Sequence, residues 1–205
     1  MVMKPEDIER RSMEIIESEL TVALDEEIKP IVKRVIHATA DFSFAESLHF
    51  TPGVVGRMRS MLSGGATVIT DTNIALAGIS KAALKKLDAK ALCLMADEDV
   101  AREARLRQVT RASVSMERAL KLTGPKLLVC GNAPTFLFPL LEMEKKPDDL
   151  AVIGVPVGFV NVVEAKQRLW DSGLDCIVAL GRRGGSNVAA AIVNALMYGI
   201  GGVRP

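Results

Sequence analysis

His37 and His49 are the two histidines of this chain, and histidine is the side chain that most readily exchanges a proton near neutral pH. His37 has the richer surroundings. On a helix, Lys33 and Arg34 lie four and three positions before it and oppose an imidazolium, while Asp41 lies four positions after it and favours one if the helix runs that far. The residues alone leave two roles open: a general acid or base, or a cation that complements the dipole at a helix C-terminus. His49, between Leu48 and Phe50, has no comparable setting. Two histidines without cysteines or carboxylates at ligand spacing give no metal site.

Two glycine-bearing motifs offer anion chemistry. Gly181-Arg182-Arg183-Gly184-Gly185-Ser186-Asn187 follows an apolar run and opens a helical pattern, so its backbone N–H groups and the helix N-terminus can receive a negative group. It is neither a Walker A loop nor the dinucleotide fingerprint. A tight turn capped by Ser186 or Asn187 is the alternative, and the paired arginines shift the balance toward an anion. In Gly131-Asn132-Ala133-Pro134-Thr135, Gly131 lets a ligand approach the backbone and Pro134 suits a first helical turn. Asn132 is either a cap or a ligand contact there. Arg111, in Thr110-Arg111-Ala112-Ser113, and Asp71, just past an apolar run, either face a crevice or serve as a cap or surface ion pair.

The elements that must position these residues alternate along the chain. Five runs rich in Val, Ile and Leu, at 66–69, 89–95, 126–130, 151–155 and 176–180, read as strands, each followed by a short loop and a helical pattern. Helices are expected near 72–77, 80–87, 97–106, 111–122, 135–143, 161–172 and 186–198, with Gly78 ending one and Ser80 capping the next. Three further helical patterns, at 5–20, 26–39 and 53–63, precede the first strand. In the second of them Ile28, Ile31, Val32, Val35 and Ile36 form one stripe, Asp25 is the expected N-cap, and Pro30 delays the regular helix. The expected fold is therefore α/β: a mainly parallel five-stranded sheet with helices on both faces, preceded by an N-terminal helical segment. Ligands of such sheets bind outside the carboxyl ends of the strands, which places the last three loops, all with glycine, along one crevice.

Composition narrows the class. A net charge of +1 gives no basic field for nucleic acid, and 4% aromatic residues make the core aliphatic. Cys93, Cys130 and Cys176 fall within or at the ends of expected strands, where a free thiol packs as a small hydrophobe, as in a reduced cytoplasmic protein. The N-terminal residues turn charged at once, unlike a signal peptide. The longest apolar run, 150–160, is too short to span a membrane and contains Pro156 and Gly158, so it reads as strand, loop and helix start.

Arg34-Val35-Ile36-His37-Ala38, the two glycine motifs and Val155-Pro156-Val157-Gly158-Phe159-Val160 together resemble the precorrin-8X methylmutase family of cobalamin biosynthesis, in order and spacing over nearly the whole chain. Glu9-Arg10-Arg11-Ser12 and Thr110-Arg111 look like two further family motifs. A chain of 205 residues is expected to form one domain, 1–205, and the resemblance implies that it is Rossmann-like and an isomerase. Such an enzyme moves a methyl group from ring carbon 11 to ring carbon 12 of precorrin-8X or cobalt-precorrin-8, giving hydrogenobyrinic or cobyrinic acid. It further implies no external cofactor and a cytoplasmic homodimer, with the corrinoid bound near the subunit interface.

His37 becomes the catalyst in this reading, giving a proton to the macrocycle and taking it back during a sigmatropic shift. The candidate substrate contacts are Ser12, Asp71, Arg111, Gly131, Asn132, Arg182, Gly184, Gly185 and Ser186, since a ring bearing many carboxylates suits arginines and loop N–H groups. Where some relatives carry a Cys-Gly pair after the histidine, this chain reads Ala38-Thr39-Ala40-Asp41-Phe42, and Arg183 sits where relatives vary. Two other readings compete. A non-catalytic tetrapyrrole-binding or carrier protein would use the same loops without conversion, and a nucleotide-binding α/β protein would rest on the glycine loop alone.

Overall fold

Prolines and caps decide where the N-terminal helices begin. A computed structural model describes residues 4–203, so the extreme ends of the expected 1–205 domain lie outside the described residues. Helix α1 (Pro5–Glu19) and helix α2 (Lys29–Thr39) each carry a proline in the first turn, where the missing N–H would have had no helical partner. Asp25 does not cap α2: its carbonyl accepts from the N–H groups of Ile28 and Lys29 in a turn that precedes the helix. Ile31, Val32, Val35 and Ile36 are buried along the expected stripe, and Ile28 is half-buried. The helix stops at Thr39 because Ala40 is left-handed, with φ 53°. Asp41 therefore does not sit on the next helical turn below His37.

A short helix α3 (Phe44–Ser47) and strand β1 (Leu48–Phe50) come next, then α4 (Val54–Ser63). Neither α3 nor β1 is among the elements expected from the sequence. The alternating part runs β2 (Thr67–Thr70), α5 (Asn73–Gly78), α6 (Lys81–Lys86), β3 (Lys90–Leu92), α7 (Glu98–Arg107), α8 (Arg111–Lys121) and β4 (Lys126–Cys130). A 3-10 turn (Pro134–Phe136), α9 (Phe138–Leu141), β5 (Leu150–Gly154), α10 (Val162–Trp170), β6 (Cys176–Ala179) and α11 (Ser186–Tyr198) complete it. The single helix expected over 135–143 is split because Pro139 cannot continue the hydrogen-bond ladder begun before it. Thr72, Ser80 and Thr110 cap the helices after them by accepting from Ala75, Ala83 and Ser113 N–H groups.

The sheet has six strands in the order β1-β6-β5-β4-β2-β3, not the five expected. The added strand is β1, antiparallel on the β6 edge with His49 opposite Val178; the other pairings are parallel. Its three residues are too few to display a period of two. Strand alternation sorts the core into two layers. Leu127, Val129, Ala151, Ile153, Ile177 and Ala179 point to the face covered by α2, α4, α5 and the nearly all-apolar α11. Leu128, Cys130, Leu150, Val152, Cys176 and Val178 point to the face covered by α8, α9 and α10. From β2 the chain crosses to β3 on one side and, later, β4 lies on the other, so the strand order reverses between β2 and β4.

Candidate active site

That reversal is where a doubly wound sheet opens its ligand crevice, and here it is organised by Asp71. The side chain is fully buried just past β2. Its carboxylate accepts from the N–H groups of Gly131, Asn132 and Ala133 at 2.9, 2.7 and 2.8 Å, and from the Cys130 thiol at 3.7 Å. Burial nevertheless pushes its proton affinity up, against the lowering effect of these donors. Burial and the adjacent carboxylate push the Cys130 thiol far up, so it remains a donor. Asp71, expected to touch substrate, is turned inward. The loop N–H groups of Gly131 and Asn132, expected to hold a ligand anion, already hold this carboxylate. Asn132 is exposed.

The loops after β4, β5 and β6 do come together. The Gly185 N–H donates to the Val155 carbonyl at 2.9 Å, and the Gly158 N–H donates to the Arg182 carbonyl at 3.2 Å. At Gly184, with φ 157°, a Cβ would fall on the Val155 carbonyl oxygen. At Gly131 a Cβ would come within 2.9 Å of the Ser186 Cα, so glycine is what lets the start of α11 lie against the β4 loop. The Ser186 hydroxyl meets that of Thr72 at 2.8 Å, which joins the loop after β2 to the one after β6. Behind the glycine loop Lys166, wholly buried on α10, donates to the carbonyls of Gly181 at 2.9 Å and Arg183 at 2.6 Å. The resulting surface is a set of backbone groups and arginines braced from below.

The helical layer carries the histidine singled out from the sequence. His37 is exposed in the last turn of α2. The charges expected to act on it are engaged elsewhere: Lys33 pairs with Glu17 at 2.7 Å, and Arg34 pairs with Glu9 of α1 at 2.7 Å while covering the Tyr198 ring. Asp41 receives Arg183 at 3.0 and 2.9 Å on its two oxygens, and a Ser43 N–H at 3.0 Å. Hydrogen bonds from Ser43 and the charge of Arg183 hold the Asp41 carboxyl low, so it stays an anion. Ser12 lies half-buried on α1 with its hydroxyl donating to the Ile8 carbonyl at 2.9 Å, which leaves the oxygen able to accept.

Two exposed arginines flank the loops. Arg182 is exposed and lies over the Phe159 ring at 5.4 Å, where Phe159 is itself 83% exposed. Arg182 and Arg183 line a hollow of about 530 Å³ with Ser43, Ser47 and His49. Arg111 is exposed at the first position of α8, and its neighbour Thr110 bonds Thr135 of the β4 loop at 2.9 Å. The β4 and β6 loops and the α2 end are thus assembled at one edge of the sheet, with Arg111 flanking the β4 loop. No group of three or more histidine, cysteine or carboxylate residues suited to a metal ion occurs among the described residues.

A family model described as Precorrin-8X methylmutase matches residues 7–199, which take in all of the elements that shape this edge. The chain belongs to the precorrin-8X methylmutase family. It is 43% identical over 169 residues to the cobalt-precorrin-8 methylmutase of Salmonella typhimurium, covering 82% of this chain and 80% of that protein. It is 35% identical over 194 residues to the precorrin-8X methylmutase of Pseudomonas aeruginosa, covering 92% and 93%. Among solved structures it resembles the precorrin-8X methylmutase of Thermus thermophilus, with a TM-score of 0.84 and 32% identity over 93% of this chain and 95% of that one.

For a methylmutase, the residues that sequence reasoning missed are those that act by bracing. Lys166 could have been noticed as the one charge among Val162, Ala165 and Leu169 on the apolar face of α10. Nothing local signals the bond from Thr72 to Ser186 or from Asp41 to Arg183, because the partners lie 114 and 142 residues away.

Proposed function

We propose that this chain is an isomerase that moves a methyl group from ring carbon 11 to ring carbon 12 of precorrin-8X, or of its cobalt complex, within cobalamin biosynthesis. Family membership supports the reaction. The observation that carries the site is the position of His37: an exposed imidazole on a helix whose end is clamped to the glycine loop through Asp41 and Arg183.

In this reading Arg182 and Arg111 receive side-chain carboxylates of the macrocycle, and Ser12 and Ser186 accept or donate single hydrogen bonds at its edge. Asp71 acts behind the surface, holding the β4 loop in shape. His37 gives its proton to the conjugated ring, which draws electron density away from the carbon that holds the methyl group. The methyl then migrates, and the imidazole takes the proton back, so no atom is gained or lost. A group that both gives and recovers a proton works best when it titrates close to the working pH.

We also infer a cytoplasmic homodimer with no role in nucleic-acid binding. Val157, Phe159, Val160 and Val163 are 44%, 83%, 76% and 47% exposed beside the crevice, an apolar group that a second subunit would cover. No helix among the described residues is long and apolar enough to cross a membrane. Sedimentation of the protein at micromolar concentration tests the dimer, and a monomer would contradict it.

Incubation with precorrin-8X, with and without cobalt, tests the reaction. An isomerase changes the absorption spectrum at unchanged mass in at least one arm. Binding without conversion would instead favour a carrier.

A further inference from the structure

We propose that Lys166 is a positioning residue for this reaction, one that holds the carbonyls of Gly181 and Arg183 from beneath so that Arg182 is presented to the carboxylates of the substrate. The proposal rests on the isomerase reading for the substrate, and on geometry alone for the loop.

Lys166 is an unusual occupant of its place. The face of α10 around it, Val162, Ala165 and Leu169, is buried and apolar, and Lys166 itself has no exposed surface. A buried ammonium is costly unless hydrogen bonds or an opposite charge compensate it. Among the described residues no carboxylate lies within ion-pairing distance of the amine; its partners are the two loop carbonyls, at 2.9 and 2.6 Å. A methionine would fill the same space without that cost. What the amine adds is a grip on two carbonyls that flank Arg182, on the side of the loop away from solvent.

The consequence for the loop is specific. Both carbonyls face inward, so the peptide units between them fix the direction in which Arg182 leaves the backbone. The Arg182 carbonyl in turn accepts from Gly158, and Gly185 donates to Val155, so the β5 loop is held in the same register. Arg183 is turned the other way, to Asp41.

Burial lowers the proton affinity of the amine, to a pKa of about 8, and the facing titratable group is the Cys130 thiol, which stays neutral. Arg183 contributes its carbonyl here, its guanidinium being paired with Asp41. Above that pH the charge-assisted bonds become ordinary amine bonds, which are weaker.

Amide hydrogen exchange at Gly158 and Gly185 in the full-length protein reads the grip directly. After correction for intrinsic rates, exchange in the wild type should rise about tenfold from pH 7 to pH 9.5, the scale expected for losing about 1.4 kcal/mol of hydrogen bonding. In Lys166→Met it should be fast at both pH values. With precorrin-8X, Lys166→Met should raise KM about tenfold while kcat stays within about threefold, the pattern of lost uniform binding. Wild-type exchange at both amides that is flat across this pH range, or a folded Lys166→Met protein with wild-type KM, overturns the proposal. If the variant does not fold, the wild-type pH series decides. Wild-type protein that fails to convert precorrin-8X overturns the isomerase reading instead, since the exchange experiment needs no turnover.

Discussion

Arg183 reaches across from the glycine loop to both carboxylate oxygens of Asp41, at 3.0 and 2.9 Å, and also donates to the Ser43 hydroxyl. This pair joins the carboxyl edge of the sheet to the residue two positions beyond the helix that carries His37. It is a surface pair, 60% and 34% exposed, so its loss should cost only about 0.2–1 kcal/mol of stability. Its effect on turnover should be larger, because a small displacement of an acid relative to its substrate costs much in rate. Arg183→Ala and Asp41→Ala should each lower kcat/KM about tenfold, and the double variant should lose little more than either single one. Fully additive losses would show that the two residues act separately.

Asp71 should matter more to stability than to chemistry. Asp71→Ala strands three loop N–H groups and should destabilise the fold by about 3 kcal/mol, read from urea unfolding. Its folded proton affinity is raised above the ordinary value, so the folded state keeps the proton over a range of pH where the unfolded chain has released it. Stability contributed by this group is thus greatest below the unfolded value and is lost as pH rises through the folded one. The stability gap between wild type and Asp71→Ala should therefore widen toward acid pH. A gap that narrows there would contradict the assignment of burial as the dominant cause.

Much of this arrangement was legible in the residues, and what was hidden shares a physical reason. The five parallel strands announced themselves as runs rich in Val, Ile and Leu, and the stripe of α2 and the cap at Ser80 followed from spacing alone. A single proline sets a boundary at Pro30 and again at Pro139, but the run 135–143 is apolar enough to look continuous. Strand β1 exists only because β6 lies beside it. The inward turn of Asp71 depends on N–H groups 60 residues away, which no local pattern encodes. His37 and the glycine loop were visible as chemistry, whereas the clamp between them required the fold.

Gly184 has no room for a side chain. In Gly184→Ala the added methyl meets the Val155 carbonyl at a φ of 157°, so the loop must move. The expected cost is about 1–3 kcal/mol of stability, with substrate affinity lost along with it. A variant with unchanged melting temperature and KM would mean that the loop relaxes freely.

Arg182 and Arg111 are exposed cations, Arg182 in the hollow beside the β6 loop and Arg111 at the start of α8. Alanine at either position should raise KM by about tenfold, on the order of one charge-assisted hydrogen bond, and should reduce the sensitivity of KM to salt. The kcat should change less than KM. A change confined to kcat would place the arginine at the reacting carbons instead of at the carboxylates.

In the proposed mechanism His37 supplies the proton. Because the side chain is exposed at a helix end, His37→Ala should leave stability within about 0.5 kcal/mol of the wild type. The decisive measurement is single-turnover conversion of precorrin-8X by the folded His37→Ala protein, followed by absorption and mass. Substrate binding should stay close to normal while methyl migration slows by about 100-fold to 10,000-fold, the usual worth of a positioned general acid. Migration at the wild-type rate would contradict it.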